Sequence, residues 1–162
     1  PPGGILSIDS SVDDSRYVGV RAVADGDRIL VTVEFIATTA NQCWTEVTRV
    51  LDDPAVQLTV TPGLEALAPP ELARRMSIVG YGELLKYTPI VRSLILEGRL
   101  RHDGSRALAE HVGRAVAVKT QHTTVLSSQK SPGPIELARC MVWASAIAAR
   151  PTGRTKPAFA FG

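Results

Sequence analysis

Three stretches near the start of the chain carry strand character, two of them with a period of two. The period then changes. ILSID (5–9) is short and apolar. RYVGVRAVA (16–24) sets Val18, Val20 and Ala22 against Tyr17, Gly19 and Arg21. RILVTVEFIA (28–37) places Ile29, Val31, Val33 and Phe35 on one side. Successive strand residues point to opposite faces, so such alternation marks strands with one face in a core. Between the last two lies Asp25-Gly26-Asp27, where glycine supplies the positive φ of a tight hairpin turn. The chain is therefore expected to open with an antiparallel meander, and the remaining residues must extend that sheet and cover it.

From residue 41 onward, helical periodicity is broken by short strands. NQCWTEVTRVLDDP (41–54) gathers Cys43, Trp44, Val47, Val50 and Leu51 on one stripe, with Asn41 as the expected N-cap and Pro54 as the stop. VQLTV (56–60) is a fourth strand, ended by Thr61-Pro62-Gly63. ELARR (71–75) belongs to a short helix entered through Pro69-Pro70, and SIVGYG (77–82) holds a fifth strand. Thr88 with Pro89 reads as the start of a helix whose stripe is Ile90, Val91, Leu94 and Ile95, ended by Gly98. Ser105 opens another, with Leu108, Val112, Ala115 and Val116. TTVLSSQ (123–129) is extended, and Pro134 leads into a last helix to about Ala149, apolar almost all round and so buried. Strands in antiparallel order followed by strands reached through helices predict an α/β fold: a mixed sheet with helices on both faces. Residues 1–150 form one domain on this reading, and 151–162 a basic, Pro/Gly-rich tail.

Composition narrows the function classes. The 162 residues hold two cysteines, Cys43 and Cys140, in apolar helical settings, which suits reduced core thiols rather than a disulfide framework. No Cys/His spacing fits zinc. No apolar run reaches the length of a membrane span, and no basic-then-apolar leader opens the chain, so a protein that is neither membrane-bound nor secreted is expected. The net charge of +2 is unevenly spread: six Lys/Arg and eleven Asp/Glu in residues 1–82, twelve and five in 83–162. An acidic half beside a basic half suits a site that meets a polyanion.

In such a sheet the first strand lies beside the fourth, so Asp9, ending strand one, comes near the end of strand four. Asp13 and Asp14 lie in the next turn, where Asp13 fits an Asx-turn. Carboxylates gathered at strand ends hold Mg²⁺ or Mn²⁺, hard cations that take oxygen ligands. Neither cysteine has a histidine nearby in sequence and no GxSxG elbow exists, so a covalent nucleophile is not expected.

Several stretches also carry a resemblance. ILSIDSSVDDSRYVGVRAVADGDRILV, then GYGELLKYTPIVRSLILEGRLRH, ALAEHVGRAV and SPGPIELARCMVWASAIAARPTGRTKP, together resemble the C-terminal nuclease domain of phage terminase large subunits, most closely those of actinobacteriophages. The resemblance spans nearly the whole chain and rests on the order of the motifs. It implies an RNase H-like fold and metal-dependent endonucleolytic cleavage of concatemeric double-stranded DNA during viral genome packaging. It assigns Asp9 and Glu136 as catalytic metal ligands for Mg²⁺ or Mn²⁺, as two ions, with Asp14 assisting. Thr61 stands where the family's middle carboxylate is expected and would line the gap. Lys86, Arg99, Arg101, Arg106 and Arg114 would meet DNA phosphates. His102 and His111 are expected on a loop and a helix surface, and Trp44 and Trp143 in the core.

The implied partners are an ATPase motor domain, a portal protein and the small terminase subunit, in the host cytoplasm during viral assembly. No GxxxxGK[ST] phosphate loop occurs in the chain, so the motor lies outside it. Two alternatives remain: a catalytically weakened DNA- or portal-binding module, favoured by Thr61, and another RNase H-fold nuclease such as a resolvase.

Overall fold

The computed structural model describes residues 1–102 and 136–150. Its frame is one six-stranded mixed sheet. The strands are β1 (Gly4–Ser10), β2 (Tyr17–Asp25), β3 (Arg28–Ala37), β4 (Val56–Val60), β5 (Met76–Ile78) and β6 (Leu100–His102), in the order β5-β4-β1-β2-β3-β6. The β1–β2–β3 meander is antiparallel, while β4 runs parallel to β1, β5 to β4 and β6 to β3. This is the expected α/β arrangement, with β1 central and β4 at its side. The turn at Gly26 has φ of 65°, as the hairpin requires.

Each face of the sheet carries its own core. On one, α1 (Ala40–Val50) packs Cys43, Val47 and Val50 onto Leu6, Ile8, Leu58 and Val60. On the other, α3 (Tyr81–Leu96) and α4 (Glu136–Ala148) cover Val18, Val20, Ala22, Ile29 and Val31. Every residue of α4 from Glu136 to Ala146 is buried except Arg139, which is partly buried, as its all-round apolar composition predicts. The short helix α2 (Pro62–Glu65) and a 3-10 turn (Pro70–Arg75) bridge β4 to β5. Cys43 and Cys140 are free thiols in different cores, and burial pushes the Cys43 thiol up to about 12. Among the described residues no helix is long and apolar enough to cross a membrane.

The structure departs from the sequence reading at four places. Thr39, not Asn41, caps α1, its hydroxyl accepting from the Gln42 amide at 3.1 Å. Pro89 lies inside α3 rather than at its start: Gly80 is the N-cap, its amide donating to the Glu83 carboxylate at 2.8 Å, and the Thr88 hydroxyl donates to the Leu84 carbonyl at 2.6 Å. The buried stripe is consequently Leu84, Tyr87, Val91 and Leu94, while Ile90 and Ile95 are exposed. Leu100–His102, where His102 is expected on a loop, pairs with Ile29–Val31 as β6. Finally, Phe35 does not share a face with Ile29 and Val31. The register of β2 with β3 shifts between Gly19 and Val20, leaving Glu34 as an extra residue, so Phe35 enters the α1 core instead. The stretches 105–116 and 123–129 and the tail 151–162 lie outside the described residues.

That bulge explains Gly19. The Phe35 ring lies against it, so a Cβ at Gly19 would sit 2.2 Å from Phe35 Cε2. Gly19→Ala is expected to cost about 1–3 kcal/mol through overpacking, measured by urea denaturation; a change within error would mean that the ring moves aside freely.

Candidate metal and phosphate site

Strand polarity determines what meets at one edge of the sheet. The carboxyl ends of β1 and β4, the start of β2 and the first turn of α4 converge there. Ile8 pairs with Val60, so Asp9 and Thr61 are each the next residue along neighbouring parallel strands. Ser10 pairs with Tyr17, which puts Arg16 just beyond. The packing of α4 against β1 and β2 delivers Glu136 to the same edge.

Asp9 and Glu136, far apart in sequence, are both buried here, at 6% and 3% exposure. Each is held by an arginine. Asp9 Oδ2 accepts from Arg139 Nε at 2.9 Å, and Asp9 Oδ1 from the Ser10 amide at 2.8 Å. Glu136 Oε1 accepts from Arg16 Nε at 3.0 Å and lies 2.9 Å from Arg16 Nη2. Glu136 also sits in the first turn of α4, where the helix dipole favours a negative charge. Burial pushes the Asp9 carboxyl above its ordinary value against the pull of Arg139 and the Ser10 amide, and the Glu136 charge adds to the push. Cys140, one residue after Arg139, is fully buried and its thiol is raised well above its ordinary value, which removes it as a nucleophile.

The other predicted residues are more scattered. Thr61 N-caps α2 without a side-chain bond to it and is half-buried. Asp14 stands exposed on the turn after β1 with φ of 56°. Among the described residues, no three of His, Cys, Asp or Glu form a group that could hold a metal, so Asp14 is not brought to Asp9 and Glu136. Arg99 and Arg101 flank and enter β6, which pairs with the start of β3; they lie toward the opposite end of the sheet from Asp9. Arg99 donates to the Asp27 carbonyl at 2.6 Å, and Lys86 is exposed on α3, 5.9 Å from the centre of the Tyr87 ring. Arg106, His111 and Arg114 fall outside the described residues. His102 is in β6, exposed. Trp143 is buried and Trp44 partly so.

Sequence reasoning missed Arg16 and Arg139. Arg139 had a visible mark: it is the single basic residue between Glu136 and Ala149, in a helix otherwise apolar and buried. Arg16 had none, since an arginine opening a strand is ordinary.

Asp13 belongs to the turn and not to the site. Its Oδ1 accepts from the hydroxyls of Ser11 at 2.8 Å and Ser15 at 2.7 Å, and from the Ser15 amide at 3.2 Å. These bonds favour the carboxylate and lower its pKa from 3.8 to about 2. The folded chain therefore binds this proton less well than the unfolded chain. The associated stability is complete above 3.8 and is lost as pH falls toward about 2. Asp13→Asn should flatten that part of the acid limb in denaturation midpoints measured across pH; an unchanged limb would refute the assignment.

Comparison of the chain with protein-family models, with curated proteins and with solved structures gives no match.

Proposed function

We infer that this domain is a divalent-metal-dependent DNA endonuclease, the RNase H-like nuclease unit of a viral DNA-packaging terminase large subunit. One observation carries the reading: the carboxylates of Asp9, at the end of the central strand, and Glu136, opening the last helix, are both buried at one sheet edge. Buried carboxylates need cationic partners; Arg139 and Arg16 fill that place here, and on this reading a divalent cation takes a share of the same oxygens. The donors are oxygens only, which suits Mg²⁺ or Mn²⁺, with the Thr61 hydroxyl as a weak neutral addition. Asp9 and Glu136 would hold the metal. When bound, it would activate water and stabilise the leaving oxygen of a phosphodiester. Arg16 and Arg139 supply the remaining chemistry: guanidinium groups at the same edge that match the charge and geometry of a phosphate.

The neutral third position at Thr61 and the arginine on each carboxylate favour a second reading. In it the domain binds DNA or the portal without efficient cleavage. Incubating supercoiled plasmid with the protein in Mn²⁺, Mg²⁺ or chelator separates the two. Nicked and linear products that require metal support the nuclease. Intact plasmid in both metals, with DNA retained in a gel-shift assay, overturns it in favour of the binding module.

A further inference from the structure

Around Asp9 and Glu136 the formal charges already cancel: two carboxylates face two guanidiniums. Among the described residues, a divalent cation arriving there meets no surplus negative charge. It must compete for oxygens that arginines hold. The two pairs differ in how firmly they are closed. By side chain, Arg16 is 32% exposed and partly screened by water over a Glu136 that is 4% exposed, whereas Arg139 and Asp9 are 16% and 8% exposed. The backbone of Arg139 is also fixed by its helix. It lies three residues after Glu136, hence on the same face of α4, and the apolar residues on either side of it are buried.

We propose that Arg139 is a resident counter-ion of Asp9 that a divalent cation must displace, and that DNA phosphate tightens cation binding by drawing this guanidinium away. The inference rests on the metal-site reading of Asp9. It makes Arg139 a positioning residue that couples two ligands: without DNA it closes the carboxylate, and with DNA it turns to the phosphate and opens it. Coupling of this kind is reciprocal, so bound cation also raises affinity for DNA.

The test is calorimetric titration of the whole chain with Mn²⁺, with and without a short DNA duplex. Arg139→Gln removes the competing charge and should bind Mn²⁺ about tenfold or more tightly than wild type in the absence of DNA. Arg139→Lys keeps the charge and should remain near wild type. The duplex should tighten Mn²⁺ binding in wild type and do so far less in Arg139→Gln. Equal Mn²⁺ affinity in wild type and Arg139→Gln, or no binding by either, overturns the proposal. Should the Gln variant fold poorly, the wild-type arm still decides, because Mn²⁺ affinity indifferent to the duplex also overturns it. The outcomes are separable from those of the nuclease reading. Intact plasmid with the affinity shift present sinks the nuclease alone. Cleavage with an unshifted affinity sinks the counter-ion alone.

Discussion

Replacing Asp9 with asparagine is expected to reduce Mn²⁺-dependent plasmid cleavage about a thousandfold or more, since a metal ligand supports several kcal/mol of transition-state stabilisation. The choice of asparagine matters. Asp9 accepts from both the Ser10 amide and Arg139 Nε. Alanine would strip both bonds and leave Arg139 with a buried charge and no carboxylate, a loss of about 3–5 kcal/mol that could abolish activity by unfolding alone. Asparagine keeps one acceptor oxygen and the shape of the side chain. It also removes a charge that burial disfavours, the reason the Asp9 carboxyl is raised. Arg139 still loses its carboxylate and the asparagine NH2 faces one of the two donors, so a loss of about 1–3 kcal/mol, smaller than for alanine, is expected. Cleavage rates and thermal melts on the same preparation decide the matter. A variant that melts like wild type and still cuts would remove Asp9 from the chemistry.

The parts of this fold that were legible in the sequence are those built from local pattern. RILVTVEFIA and VQLTV alternate or bury continuously, and β3 and β4 occupy those residues. The apolar last helix announced its own burial. What escaped was decided by contacts between distant segments. Nothing local marks Leu100–His102 as a strand; it becomes one by pairing with β3. The face taken by Phe35 depends on a one-residue register shift against Gly19, and period-two reasoning assumes no shift. Pro89 misled because a proline after threonine fits a helix start, whereas here the Thr88 hydroxyl takes the Leu84 carbonyl and the helix runs through. The resemblance paired Asp9 with Glu136, and the structure buries both at one sheet edge. Their arginines were not legible. Arg16–Glu136 and Arg139–Asp9 each join segments more than a hundred residues apart, and an ion pair over that distance leaves no periodicity to find.

The largest structural effect is expected at Trp143. Its side chain is 2% exposed in the core shared with Leu84, Tyr87 and Val91, and its indole N–H donates to the Gly80 carbonyl at 3.3 Å. Gly80 is in turn the N-cap of α3. One ring therefore fills the space between α3 and α4 and ties the first residue of one helix to the middle of the other. Trp143→Ala should cost about 3–5 kcal/mol, from the lost aromatic area and the cavity left behind. Against a total of about 5–15 kcal/mol for a domain, that is a large share. Trp143→Phe keeps most of the ring and loses the hydrogen bond, so about 1–2 kcal/mol is expected for it. Urea denaturation of both variants reads the difference directly. The site should feel the larger change, because Glu136 and Arg139 ride on the helix that Trp143 anchors. A loss under about 1 kcal/mol for Trp143→Ala, below the range for emptying an aromatic site, would mean that α4 is held to the sheet without this ring, and the placement of Glu136 beside Asp9 would then rest on the Arg16 and Arg139 pairs.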